Sequence, residues 1–321
     1  MRFLGIDPEL DRPRIQALRA SPPGYATRGI RREIFGSSLE QWDALLAASG
    51  AVIPSVSPIL LFYALSQAGR AVCAARVAGQ PFRPRRHGLS IGDPAGDIGA
   101  LTVSPEGGAN SSFAMFCRAV GTEPLAEPTT LGALWAANSH LTTTSRLGAP
   151  AAPAIPVGAI GGDGVRALLA GSIAEGLPTD ESEAADELTR RLVLYPHASD
   201  GLQVRNELRR EGPNGTSQVE VRWLSRDGTP KKLDMVVGGF GRPNSGHFLR
   251  PALNQAGDVL DILPLWWATL LALSSLARYH PEAWRGVLTR DRSPEAVPVE
   301  DALQIGREIL PWLLIGVLSD N

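Results

Sequence analysis

From Ile262 to Ala277 the chain carries no charge, and the run ends abruptly in Arg278-Tyr279-His280-Pro281-Glu282. Its 16 residues fall short of the roughly 18–20 apolar residues that a membrane-crossing helix needs. Pro264 stands near its start, where a helix tolerates proline. The stretch Val259–Trp284 is therefore expected to form the buried central helix of a soluble protein, with a polar cluster at its C-terminal end. Adjacent Trp266 and Trp267 point about 100° apart on a helix, so both are buried only if that helix is covered on several sides.

The rest of the chain offers this helix partners. Ser37 or Ser38 is expected to cap a first helix over Leu39–Ser49, and Pro58 opens a longer one that stops near Gly79. Ser111–Val120 and Leu131–Ser139 read as further helices, as do Gly164–Ile173 and Glu181–Leu194, the last capped by Asp180. Leu89–Ile91 and Ile98–Val103 are expected to pair as a short hairpin. Alternation in Leu202–Arg210, Thr216–Leu224 and Lys232–Val237, with Asn214-Gly215 and Asp227-Gly228 between them, predicts a three-stranded meander. Val299–Glu308 and Ile309–Leu318 close the chain as helices that meet near Pro311. The fold class expected is mainly α with a small antiparallel β insertion. Its parts are a wrapping segment over 1–38, a first half of a helical core over 39–147 and a proline-rich linker over 148–158. Helices plus the β insertion occupy 159–254, and the second half of the core 255–321, all in one compact domain.

Composition narrows the function. A net charge of −2 gives no overall basic field for nucleic acid, although all but two of the 31 basic residues are arginine. Cys73 and Cys117 are the only cysteines, and both sit in apolar helical patterns, as reduced core residues do. The first residues, MRFLGIDPELDRPR, lack the apolar core of a secretory signal, so the expected location is the cytoplasm, away from membranes. No P-loop, zinc-ligand spacing or Gly-x-Ser-x-Gly elbow is present, and no metal or cofactor is expected.

Two stretches carry a family resemblance. FYALSQAGRAVCAARVAGQPFRPRRHGL (62–89) is similar to the helix and loop of HEPN proteins. LLALSSLARYHPEAW (270–284), with FLRPAL (248–253) before it and EILPWLLIGVL (308–318) after it, resembles the closing block of the bacterial YaaC-like family. The likeness spans roughly Trp42 to the C-terminus and implies an architecture more than a chemistry. It implies an HEPN-like helical core and a cytosolic module acting through a nucleotide, RNA or protein partner, in stress or phage defence.

HEPN ribonucleases use an Arg-x(4–6)-His pair, in which arginine holds the scissile phosphate and histidine assists attack without metal. Arg242-PNSG-His247 and Arg191-LVLYP-His197 match that spacing, but an arginine-rich chain yields roughly 1.4 such pairs by accident. The candidate catalytic residues are therefore His280, His247 and Arg242, for a metal-independent endoribonuclease. The candidate ligand-binding set is Arg70, His87, Arg278 and His280, converging at the polar end of the central helix. A non-catalytic nucleotide-sensing or partner-binding module is the leading expectation; a structural subunit of a homo-oligomer is the third. Arg278 also admits a bland role, as a helix-end cation paired to a carboxylate such as Glu282.

Overall fold

The computed structural model describes residues 8–79, 82–83, 86–94, 96–142, 144–160, 164–199, 201–211, 217–231 and 247–319. Among the described residues helices dominate and two small antiparallel sheets accompany them, so the fold is mainly α with a small β part. The chain divides into two compact units, Met1–Ala151 with Leu260–Asn321, and Ala152–Val259.

The helical unit opens with α1 (Pro8–Ala17), which lies along α2 (Gly29–Ala51). Arg12 pairs with Asp43 at 2.7 Å, and Gln16 donates to the Leu39 carbonyl. The expected wrapping segment over 1–38 is therefore corrected: it is helical in part, α2 begins at Gly29, and Ser38 is buried inside it rather than capping it. The charges that hide the helical period have structural work. Arg31 donates to the carbonyls of Ala74, Val77 and Gly79 at the end of α3 (Ser57–Arg76), and its guanidinium lies 3.7 Å from the centroid of the Phe82 ring.

Pro58 occupies the first turn of α3, where its missing N–H costs nothing. Beyond the helix, β1 (Leu89–Ile91), β2 (Thr102–Pro105) and β3 (Thr129–Thr130) make an antiparallel sheet in that order. The expected partner strand over Ile98–Val103 is corrected, because Ile98–Ala100 is a single 3-10 turn capped by Asp97 and pairing starts at Thr102. Helix α4 (Ser112–Ala119) lies between β2 and β3, capped by Ser111, and α5 (Leu131–Ala137) is capped by Thr130.

Among the described residues the second unit is a five-stranded antiparallel sheet with one α-helix. Its elements are β4 (Ile155–Ile160), β5 (Arg166–Ala170), α6 (Glu181–Arg191), β6 (Leu202–Glu211), β7 (Ser217–Trp223) and β8 (His247–Leu249), with strand order β6-β7-β5-β4-β8. The helix expected over Gly164–Ile173 is instead β5 and a 3-10 turn; Ala167 and Leu169 alternate inward, a period of two that a five-residue apolar stretch does not separate from a helix. The expected linker over 148–158 contains the boundary between the two units after Ala151, while its residues from Ile155 onward belong to β4. Pro156 lies inside β4, but the β5 ladder begins at Val157, so proline stands where only the β8 side is paired. Of the expected meander, β6 and β7 pair, and Lys232–Val237 lies outside the described residues. Asp180 caps α6 through the amides of Ser182 and Glu183.

The chain then returns to the helical unit with α7 (Ile262–Tyr279), α8 (Pro281–Val287) and α9 (Ala296–Ser319). Asp261 caps α7, and every side chain from Leu263 to Leu276 is buried. Helix α9 is continuous through Pro311, where two helices were expected. The lost hydrogen bond, worth roughly 3 kcal/mol with its steric cost, is offset by burial of every residue from Ile309 to Leu318.

Helices α3 and α7 pack face to face. Tyr63 meets Arg278 near the end of α7, and Gly69 meets Trp267 near its start, so the two run antiparallel. Gly69 makes the approach close: a Cβ there would lie 2.6 Å from the Trp267 ring. By length and composition α3 and α9 are apolar enough to cross a membrane, and 67% of the apolar window of each is buried within the protein.

Candidate functional site

The polar end of α7 faces a loop that α4 holds in place. The first amides of a helix have no intrahelical acceptor, and here Ser112 and Phe113 donate theirs to the carbonyls of Arg86 and His87. Arg86 and Gly88 both adopt positive φ, at 61° and 91°. A Cβ on Gly88 would come within 2.6 Å of Ser111 Oγ, so only glycine lets the loop lie this close to α4. The result sets His87 5.5 Å from the Phe62 ring and 6.4 Å from the Tyr63 ring, beside α7.

Arg278 stands in the last turn of α7, half-buried. It donates through Nη1 to Tyr63 Oη at 3.0 Å and through Nε to the Ser274 carbonyl at 3.3 Å. Its guanidinium also lies over the exposed ring of Tyr279, 4.7 Å from the centroid. Among the described residues no carboxylate pairs with it, so the expected lock with Glu282 or another internal acid is corrected. A phenol and a carbonyl orient this cation and leave its charge uncompensated. His87 feels that charge: burial first, then Arg278, holds its pKa below the ordinary histidine value, against a smaller opposing pull from Glu106. His280 closes the helix, donating its amide to the Leu276 carbonyl, and its Nε2 lies 3.7 Å from the solvent-turned carboxylate of Asp93.

Between these groups lies a cleft of about 190 Å³, lined on one side by Leu271, Ser275, Arg278 and Tyr279 of α7 with His280, and on the other by His87 and 89–92. The structure thus brings His87, Arg278 and His280 to one place. Arg70 is not among the lining residues; it is exposed, because Gly69 holds the position that faces α7 and the next residue is turned about 100° away. Sequence reasoning missed Tyr63, Ser275 and Tyr279. Only Tyr279, flanked by Arg278 and His280, had a signal in the chain.

The remaining sequence candidates lie elsewhere. His247 belongs to β8 of the second unit, and Arg242 lies outside the described residues. The Arg191–His197 pair is dissolved by Arg191 itself, which binds Glu187 at 2.8 Å and the carbonyls of Ser172, Ile173 and Glu175. A larger cavity of about 500 Å³ lies beside α4, lined by Arg118, Glu106 and Glu123 among others. There Arg118 is spent on the Ala109 carbonyl and two acids oppose an anion. Cys73 and Cys117 are buried; burial raises the Cys73 thiol to about 12 and Cys117 well above its ordinary value, so neither is a ready nucleophile.

Searches of curated proteins and of solved structures find no match. A family model described as YaaC-like Protein matches residues 29–318, which include both helices and the loop that build the cleft. The chain belongs to the YaaC-like family.

Proposed function

We propose that this protein is a cytosolic, non-catalytic module that binds a phosphate-bearing ligand in the cleft between α7 and β1 and acts through a protein or nucleic-acid partner. The observation that carries the reading is Arg278. Its charge is matched by no carboxylate among the described residues, and guanidinium matches phosphate with two parallel hydrogen bonds. Antiparallel packing of α3 on α7, with the cleft at its polar end, supports an HEPN-like core and, by analogy alone, a place in stress or phage defence. Thermal-shift measurement with a panel of nucleotides tests the reading. Arg278→Gln is expected to keep the fold and abolish any shift; nucleotide-induced shifts that survive this change would refute the assignment to the cleft.

A second reading has its own observation: His87 and His280 line one cleft with Arg278 between α7 and the loop. Two imidazoles and a guanidinium suffice for metal-independent cleavage of RNA, one histidine as base and one as acid. This reading requires that purified protein cut single-stranded RNA in EDTA.

A further inference from the structure

We propose that the cleft takes a terminal phosphate monoester, seated between Arg278 and the unpaired edge of β1, with a planar group attached to that phosphate lying on Tyr279. The proposal rests on the ligand-binding reading above and narrows it to one chemical class. Size is the first argument. A cleft of about 190 Å³ is smaller than the roughly 300–1,000 Å³ of pockets that enclose a whole drug-sized ligand. It holds one charged group, and the remainder of the ligand must lie outside, along the rim.

The second argument is the backbone. Gly92 N–H donates to Thr102 and Glu106 N–H to Gly88, so the even-numbered residues of this strand face β2. Antiparallel pairing alternates, and the amides of Leu89 and Ile91 therefore point away from β2. Pro105, opposite Leu89, costs that ladder no hydrogen bond. β1 is an edge strand of its sheet, and both residues line the cleft. The free edge thus carries two N–H groups a pleat apart, alternating with the carbonyls of the same two residues, on a strand that lines the cleft opposite α7. Among the described residues the carboxylate near this cleft is Asp93, 3.7 Å from His280 Nε2 and turned to solvent, while the Ser274 and Leu276 carbonyls are engaged by Arg278 and His280.

Charge supplies the third argument. A monoester carries about −1.5 to −2 at neutral pH and three acceptor oxygens, whereas a diester carries one negative charge and has no free terminal group. The cleft offers Arg278 as a permanent cation and the imidazoles of His87 and His280 as hydrogen-bonding groups beside a dianion. His87 is faced by Phe62 and Tyr63 of α3, Arg278 of α7 and Glu106 after β2, so among the described residues Glu106 is the group that opposes the anion there. At the rim the ring of Tyr279, 67% exposed, offers a free face for a base or another planar group.

Calorimetry on the full chain with AMP, ribose 5-phosphate, 3′,5′-cyclic AMP, adenosine and inorganic phosphate tests this directly. AMP is expected to bind at least tenfold more tightly than the cyclic diester, and adenosine not to bind. Tyr279→Ala should lower AMP affinity roughly tenfold, the worth of one stacked base, and leave ribose 5-phosphate unchanged. Equal binding of AMP and the cyclic diester overturns the monoester assignment, and an unchanged AMP affinity in Tyr279→Ala overturns the stacking face. In either case binding that disappears in Arg278→Gln leaves the broader reading standing. Absence of binding by every phosphate compound in the parent chain removes both. The comparison among ligands needs no variant to fold, and Arg278→Lys, which keeps the charge and loses the planar fork, serves if Arg278→Gln does not.

Discussion

Replacing Gly69 by alanine isolates the contact on which the helical unit depends. In an unobstructed helix this substitution stabilises by about 0.5–1 kcal/mol, because glycine loses more backbone freedom on folding. Here the new Cβ would lie 2.6 Å from one Trp267 ring carbon and 3.3 Å from Phe116 Cδ2, against a comfortable carbon–carbon separation of roughly 3.5–4.0 Å. The Trp267 ring has to move by about 1 Å, yet it is 1% exposed and packed between Phe116 at 5.0 Å and Phe62 at 5.8 Å. Overpacking of this kind costs about 1–3 kcal/mol. Set against the helix gain, the net expectation is a loss of about 0–2.5 kcal/mol. Gly36, in α2 with nothing within 4 Å of its added Cβ, is the internal control; Gly36→Ala should stabilise by about 0.5–1 kcal/mol. Urea unfolding of both variants reads the difference. Trp267→Phe removes the obstructing ring, so combining it with Gly69→Ala should recover part of the loss as a coupling energy. A Gly69→Ala protein as stable as its Gly36→Ala counterpart would refute the close α3–α7 approach.

Other consequences are equally testable. His140 accepts a hydrogen bond from Trp266 Nε1 at 3.2 Å, and burial lowers its pKa to about 4. The folded pKa lies below the unfolded value near 6.5, so this contribution is full above that value and lost as pH falls towards about 4. Discounted for the open edge of the ring, the loss is about 1–3 kcal/mol, and unfolding midpoints that do not drop over this window exclude it. Sulfate keeps its charge near neutrality, so its affinity should rise as pH falls and His87 protonates beside Arg278; His87→Gln should flatten that dependence in calorimetry. If the chain cleaves RNA in EDTA, His280→Ala or His87→Ala should abolish cutting with little change in melting temperature. Cleavage that survives both leaves neither histidine catalytic.

What the chain made legible follows the range of the interactions. Local signals were readable: Asp180 caps α6, Pro58 opens α3, and the uncharged run is buried from Leu263 to Leu276. Short elements were not, because Arg166–Ala170 has too few residues to separate a period of two from 3.6. The site divides in the same way. His280 and Arg278 were visible as a cluster at a helix end, and His87 as the histidine of a basic loop. Arg70 was misplaced because one residue of helical phase separates a packed face from solvent. Tyr63, which orients Arg278 from 215 residues away, leaves no local trace, and neither does the absence of a carboxylate partner.

The helical unit is built from two separated stretches of chain, Met1–Ala151 and Leu260–Asn321, and this has a consequence for how it is made. α3 buries its apolar residues against α2, α4, α7 and α9, yet α7 and α9 are synthesised last. At roughly 5–20 residues per second, about 12–50 s pass between completion of α3 and completion of α9. During that interval an apolar helix long enough to resemble a membrane segment lacks two of its final partners. The intervening stretch Ala152–Val259 is continuous and can fold as soon as it emerges. The N-terminal helices therefore wait on the ribosome with sticky surface exposed, and a chaperone that covers α3 should raise the yield of native protein more than one acting after release.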